Sequence, residues 1–97
     1  MLLLTPQELQ DELRKTIKYR RKCMRITQAE LAIKTQIPLG TLRKFEQTGA
    51  GSLANLMRII VVLDLTTEWS SFLKNISNNP PITIEELSAM NKKGKQI

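Results

Sequence analysis

The sequence predicts an all-α protein, with five helices in one domain over residues 1–77. No stretch alternates apolar and polar residues over the length of a strand, and no Asn-Gly or Asp-Gly pair offers a hairpin turn. Capping boxes of the form Thr-x-x-Glu, whose side chains bond the free N–H groups at a helix start, recur along the chain. The length of 97 residues fits one such domain followed by an extension over residues 78–97.

The first helix begins at a capping box formed by Thr5 and Glu8, and Pro6 stands in its first turn, where proline is tolerated. Apolar residues then recur at roughly helical spacing and indicate a helix from Pro6 to about Met24. These apolar residues are Leu9, Leu13, Ile17 and Met24.

A second capping box, Thr27 with Glu30, predicts a short helix over residues 28–35. Pro38 disfavours the helical conformation in the residue before it, so we expect the chain to break there. The third helix is therefore expected from residue 38 or 39 to about residue 47, and a glycine-containing loop follows it.

The last two helices of the domain are rich in apolar residues. Ser52 is expected to cap the fourth helix, and Thr66 or Thr67 the fifth. Residues 59–63 are apolar on every side of the fourth helix, which predicts a central helix or a dimer contact. The fifth helix carries an apolar stripe formed by Trp69, Phe72, Leu73 and Ile76. The two aromatic residues are expected in the core, and the alternative is that they form a dimer or partner surface.

The extension begins with the linker 78–81, which contains two prolines. A further Thr-x-x-Glu box starts at Thr83 and predicts a short helix over residues 84–90. Residues 91–97 are polar and rich in lysine, so we expect a flexible basic tail.

Composition narrows the classes of function. Fifteen Lys and Arg against nine Asp and Glu give a net charge of +6, which favours nucleic acid or an anionic membrane surface as partner. A single cysteine and no histidine exclude a Cys/His zinc site and a Ser-His-Asp triad within one chain, so we expect no metal, no cofactor and no enzyme. Cys23 itself is expected at an interior or boundary position.

No signal peptide or membrane span is apparent, which predicts a cytoplasmic protein without membrane contact.

Seven basic residues fall within residues 14–25. A solvated helix face, an amphipathic membrane helix and a nucleic-acid contact are all compatible with such a run. The residues are Arg14, Lys15, Lys18, Arg20, Arg21, Lys22 and Arg25.

Residues 28–46 have the spacing of a helix-turn-helix, although an ordinary helical hairpin would share it. Leu31 and Ala32 of the second helix and Leu42 and Phe45 of the third are expected to face each other. Ile37 would fill the turn between them. The small side chain of Ala32 allows the two helices to approach closely.

The segments Ile26–Ala32 and Leu39–Glu46 resemble the helix-turn-helix of Cro and phage repressors, the XRE family. The resemblance covers residues 19–65 and implies a lambda-repressor-like domain that binds double-stranded DNA sequence-specifically. The family usually has glycine where this chain has Arg25 and Gln36, and these departures concern the geometry of the turns.

The resemblance implies that the start of the third helix enters the major groove. Arg43 would make a bidentate contact with guanine, Lys44 would read a base or bind phosphate, and Leu39 could contact a thymine methyl group. Gly40 would allow close approach, and Thr41 would lie near the phosphates.

The resemblance also assigns residues outside the reading edge. Gln28 matches a phosphate-binding glutamine of the family, and Thr27 would share that contact while capping the helix. Lys34 and Ser52 are weaker phosphate candidates. Arg21 is expected to form a partly buried salt bridge with Glu46, whose task would be to orient the reading helix.

A narrower resemblance is to the HipB group, in the Leu-Thr-Pro-Gln-Glu-Leu opening, in residues 38–49, in Ser52-Leu53 and in residues 84–87. It implies an antitoxin and autorepressor whose toxin is a HipA-like kinase. The alternatives are a free-standing transcriptional regulator, of phage or host origin, and a basic helical protein that binds RNA or a membrane surface. Because one such domain reads only a half-site, we expect a homodimer on a pseudo-palindromic operator, joined through the fifth helix and the apolar end of the fourth.

Overall fold

The computed structural model describes residues 4–79, and within them the chain forms five α-helices and no strand. The all-α, five-helix prediction is therefore confirmed. The helices are α1 Pro6–Cys23, α2 Gln28–Thr35, α3 Leu39–Thr48, α4 Leu53–Val62 and α5 Thr66–Asn78. In this part of the chain no helix combines the length and apolar character that a membrane crossing needs. The helix predicted over residues 84–90 and the tail 91–97 lie outside the described residues.

Two capping boxes start α1 and α2 as predicted. The Thr5 Oγ1 atom accepts a hydrogen bond from the Glu8 N–H at 3.1 Å, and a Glu8 carboxylate oxygen accepts the Thr5 N–H at 2.8 Å. Thr27 and Glu30 repeat both bonds at the same distances. Each box satisfies N–H groups that have no partner within the helix. Ser52 caps α4 through a bond from the Asn55 N–H, also as predicted.

The predicted threonine cap of α5 is wrong. Leu65 occupies the cap position, and no side chain bonds the free N–H groups there. The chain turns through Asp64, which has a left-handed conformation with φ of 59°, and the Leu65 N–H then bonds the Ile60 carbonyl at 2.9 Å. Leu65 packs against the core, so tertiary contact rather than a local cap determines where α5 begins.

The core lies where α1, α2, α3 and α4 meet. α3 packs against both α1 and α2, while α2 packs against α4 and α4 against α5. One side of α3 is thus held in the domain and the other faces solvent. The buried apolar residues are Ile17, Leu31, Ala32, Ile37, Leu42, Phe45, Ile59, Ile60 and Leu63.

The junctions before and after α2 each contain a non-glycine residue in the left-handed conformation. Arg25, between α1 and α2, has φ of 59°, and Gln36, between α2 and α3, has φ of 60°. These are the two positions where the XRE family usually has glycine, so the left-handed turn geometry is present without it. Glycine does end α3: at Gly49, with φ of 81°, a Cβ atom would lie 3.0 Å from the Cβ of Gln10.

Several predicted core positions are wrong in the isolated chain. Phe72 is 55% exposed and α5 has no buried residue, because the helix packs on the edge of an already complete core; Trp69 is partly buried against that core. Cys23, at the last position of α1, is exposed. Of the predicted apolar stripe on α1, only Ile17 is buried, and Leu9 is 53% exposed.

At the apolar end of α4, residues 59–63, every residue except Val61 is buried or partly buried. Ile59, Ile60 and Leu63 are buried, whereas Val61 is 65% exposed. Val62 is partly buried against the core, so a single copy of the domain leaves only the side of α4 at Val61 open. The exposed Val61 belongs to the surface that was expected to form a dimer.

Candidate nucleic-acid interface

The solvent-facing side of α3 carries the residues expected to read DNA. Gly40, Thr41, Arg43 and Lys44 are exposed, while Leu39 is half-buried and packs against the core. On the opposite side of α3, Leu42, Phe45 and Glu46 are buried. A Cβ atom at Gly40 would meet no atom within 4 Å, so the helix backbone is open to close approach there.

Arg43 and Lys44 are available for an outside partner. Among residues 4–79, neither side chain forms a hydrogen bond or an ion pair. Both project from the middle of a ten-residue helix whose other face is anchored in the core. An exposed guanidinium on a rigid helix can donate two parallel hydrogen bonds to a planar acceptor pair.

The ion pair expected between Arg21 and Glu46 is present, and it is more deeply buried than expected. The Arg21 Nε atom lies 2.7 Å from Glu46 Oε2, and Arg21 Nη2 lies 2.9 Å from Glu46 Oε1. The side chains are 8% and 1% exposed. Arg21 also donates to the Ile26 carbonyl at 2.9 Å, so it holds the end of α1, the turn after it and α3 together.

Gln28 also contacts Glu46. Its Nε2 atom donates to Glu46 Oε1 at 2.9 Å, and the glutamine side chain is half-buried. This bond was not foreseen from the sequence, where Gln28 was assigned to phosphate. Among the described residues no buried side-chain nitrogen or oxygen lacks a partner, so the polar cluster is fully satisfied.

The pKa of Glu46 is shifted by opposing effects. Burial raises the pKa of this carboxyl, but hydrogen bonds from Arg21 and Gln28, with the charges of Arg21 and Lys18, outweigh burial. The net result is a pKa below the ordinary value for glutamate. The carboxylate is therefore ionised at neutral pH, as the ion pair requires.

Arg14 holds the main chain of the same residue. Its Nη1 atom donates to the Glu46 carbonyl at 3.2 Å, and its Nε atom pairs with Asp11 at 3.0 Å. Arg14 and Arg21 stand two turns apart on α1. Both the side chain and the carbonyl of Glu46 are therefore fixed to α1.

The structure divides the basic run of residues 14–25, which covers the end of α1 and the junction after it, into two groups. Arg14, Arg20 and Arg21 each donate to a backbone carbonyl; Arg20 bonds the Leu63 carbonyl at 2.9 Å and the Asp64 carbonyl at 3.3 Å. The other four residues are exposed and make no hydrogen bond to residues 4–79: Lys15, Lys18, Lys22 and Arg25. Residues 15, 18 and 22 share one side of the helix, because positions three and four apart are neighbours on its surface.

The remaining phosphate candidates are less specialised. Thr27 and Ser52 are exposed, and each hydroxyl accepts a capping hydrogen bond while its own O–H stays free to donate. The start of α2 presents backbone N–H groups beside Thr27, an arrangement that suits anions. Lys34 is exposed in the last turn of α2, where it borders a groove with Arg58 of α4.

The structural roles of Arg14 and Arg20 were missed in the sequence. Their carbonyl partners are 32 and 43 residues away, beyond any local pattern. One signal was present: these positions hold arginine, whose planar group donates in several directions, whereas lysine stands at 15, 18 and 22.

No family model, no curated protein and no solved structure matches this chain.

Proposed function

We propose that this protein binds double-stranded DNA sequence-specifically and acts as a transcriptional repressor. The observation that carries the proposal is the exposed side of α3, with unpaired Arg43 and Lys44, on a helix oriented by the buried Glu46 cluster. A rigidly held helix with a cationic outer face fits the major groove of B-DNA.

Within this proposal α3 reads the bases. Arg43 makes a bidentate contact with guanine, and Lys44 binds a neighbouring base or phosphate. Gly40 lets the start of α3 approach the base edges closely, since nothing stands above its backbone. Leu39 contacts a thymine methyl group, and Thr41 lies near a phosphate.

The phosphate backbone is bound by the exposed cations of α1 and of the junction after it, and by the start of α2. Lys15, Lys18, Lys22 and Arg25 are exposed and unpaired within residues 4–79, so they can neutralise phosphates without breaking an internal contact. Such contacts supply affinity on any sequence and depend strongly on salt.

The protein acts as a homodimer on a pseudo-palindromic operator. Phe72, Leu73 and Ile76 of α5 are 55%, 47% and 50% exposed, and Val61 of α4 is 65% exposed. A 13-residue helix with no buried residue has little support of its own, and cover from a second copy would supply it.

The resemblance to the HipB group supports a finer proposal, an antitoxin that represses its own operon and binds a HipA-like kinase. Co-purification with a kinase-like protein encoded by the adjacent gene is the expected result. The alternative is a transcriptional regulator that has no toxin partner. Failure of this chain to bind the protein encoded by the adjacent gene at micromolar concentrations would favour that alternative.

DNA binding is tested by selecting duplexes from a randomised pool and measuring affinity for the selected duplex and for random DNA at several salt concentrations. Arg43→Ala should lower affinity for the selected duplex by about 1–3 kcal/mol and relax specificity at one position. Lys22→Met should weaken binding to both duplexes and reduce the salt slope by about one. Lys74→Met, which removes a charge from α5, is the matched control.

Equal affinity of the wild-type chain for all duplexes would refute sequence-specific binding. Tighter binding to RNA hairpins or to anionic vesicles than to the selected duplex would favour the other readings of the basic charge. A uniform loss in Arg43→Ala would make Arg43 a phosphate contact.

A further inference from the structure

The hydrogen bond between Gln28 and Glu46 joins the two helices of the candidate motif at their open end. Gln28 is the first residue of α2, and Glu46 lies in the last turn of α3. The turn that connects α2 to α3 lies at the other end of the pair, around Gln36. The pair is therefore closed at both ends, by the chain itself at the turn and by this side-chain bond opposite it.

We propose that Gln28 is a positioning residue that sets the angle between α2 and α3 through Glu46. Its Nε2 atom lies 2.9 Å from an oxygen of a carboxylate whose side chain is only 1% exposed. A hydrogen bond to a charged, nearly dry acceptor is stronger and more directional than one in water. The inference rests on the proposed function, and it replaces the assignment of Gln28 to phosphate with one to Glu46.

Glu46 remains attached to α1 when Gln28 is removed. Arg21 donates twice to the Glu46 carboxylate, and Arg14 donates to its carbonyl. Loss of the glutamine amide therefore leaves α3 fixed to α1 and the buried contacts of α2 with α3 in place, and it removes the side-chain hydrogen bond that joins α2 to α3 at the open end. The domain is expected to fold without this bond, which separates positioning from stability.

Loss of the bond between Gln28 and Glu46 is expected to lower specificity for the selected duplex rather than overall affinity for DNA. Correct reading requires the start of α2 on the phosphates and the edge of α3 on the bases at the same time. Binding to random DNA uses mainly charge, which a small change in the helix angle leaves intact. Gln28 thus contributes to the difference between the selected duplex and any other.

The test compares Gln28→Met, which keeps the length of the side chain but donates no hydrogen bond, with Gln7→Met, an exposed glutamine of α1. The probes are a duplex selected by the wild-type protein and a random duplex of equal length. In Gln28→Met the ratio of the two affinities should fall about tenfold, which is about 1.4 kcal/mol, with random-duplex affinity and salt slope unchanged. Gln7→Met should behave as wild type, and circular dichroism should show all variants folded.

An equal loss on both duplexes, with the ratio unchanged, would overturn the inference and make Gln28 a plain phosphate ligand. An unchanged ratio and affinity, or a Gln28→Met chain that does not fold, would overturn it as well. If the wild-type chain selects no duplex, the proposed function fails and the inference with it; if selection succeeds and only the ratio test fails, the proposed function stands.

Discussion

Removal of the Glu46 carboxylate should destabilise the domain severely. In Glu46→Ala the guanidinium of Arg21, which is 8% exposed, keeps its charge but loses both contacts to the carboxylate. Loss of one partner of a buried ion pair costs about 3–5 kcal/mol, because the remaining charge is left in a dry environment. Gln28 loses its acceptor too, but its half-buried amide can turn to water.

That loss is comparable to the whole stability of a small domain, which is about 5–15 kcal/mol. Urea unfolding at pH 7, followed by circular dichroism and by the fluorescence of the single tryptophan, should show a midpoint far below that of the wild type or a chain unfolded without urea. The exposed Glu68 provides a control, since Glu68→Ala should change stability by less than about 0.5 kcal/mol.

A loss below about 1 kcal/mol in Glu46→Ala would refute the reasoning, because that is the value of a solvent-exposed ion pair. A double replacement, Arg21→Met with Glu46→Leu, sharpens the test. It removes both charges and should recover most of the stability, since apolar pairs often replace buried ion pairs at no cost. If the double variant were as unstable as Glu46→Ala, the uncompensated charge would not be the cause.

Three further outcomes follow from the geometry. The folded-state pKa of Glu46 is lowered, so its contribution to stability is complete above the unfolded-state glutamate pKa of about 4.3 and is lost as the pH falls further. The free energy of unfolding, measured against pH in acid, should therefore fall less steeply in the double variant Arg21→Met with Glu46→Leu than in the wild type. Equal slopes of the free energy against pH in the two proteins would contradict the pKa shift. Gln36→Gly should raise the free energy of unfolding by about 0.5–1 kcal/mol, because relief of the left-handed strain exceeds the extra conformational entropy that glycine loses on folding; a denaturant midpoint that does not move upward would show that this junction is unstrained. Phe72→Glu should abolish dimers in sedimentation equilibrium, and its dimerisation at wild-type strength would remove α5 from the interface.

Local signals in the sequence predicted most of the helix boundaries. The two Thr-x-x-Glu boxes start α1 and α2, Ser52 caps α4, and α2 has the predicted bounds. These features depend on side chains and backbone within three residues of one another, which a single sequence displays directly. The start of α5 depends on the packing of Leu65, and a threonine nearby was misleading for that reason.

Burial was harder to predict than helix position. The spacing of Trp69, Phe72, Leu73 and Ile76 is that of an amphipathic helix, and α5 is helical. Periodicity shows which face of a helix is apolar, but it does not show whether another element covers that face. In this small domain the core is filled before α5 is reached, so its outer aromatic residue stays at the surface.

The Arg21–Glu46 pair was expected from the family resemblance, whereas the rest of its cluster was not. Gln28 contacts Glu46 across 18 residues and Arg14 across 32, and neither contact follows from spacing along the chain. Only the folded arrangement of α1, α2 and α3 brings these groups to one carboxylate. The residues of α3 that were predicted to contact DNA are exposed, except for the half-buried Leu39. Their contacts with DNA remain a prediction.

Among the basic residues at 14–25, the side chains that bond main-chain carbonyls differ in chemistry from those that make no hydrogen bond within residues 4–79. The residues bound to carbonyls are all arginines, and three of the four free cations, at 15, 18 and 22, are lysines. Acetylation, which neutralises lysine amines and leaves guanidinium groups untouched, would reach only the free group. The charge of this helix can therefore be lowered in steps on the folded protein, with every arginine anchor still in place.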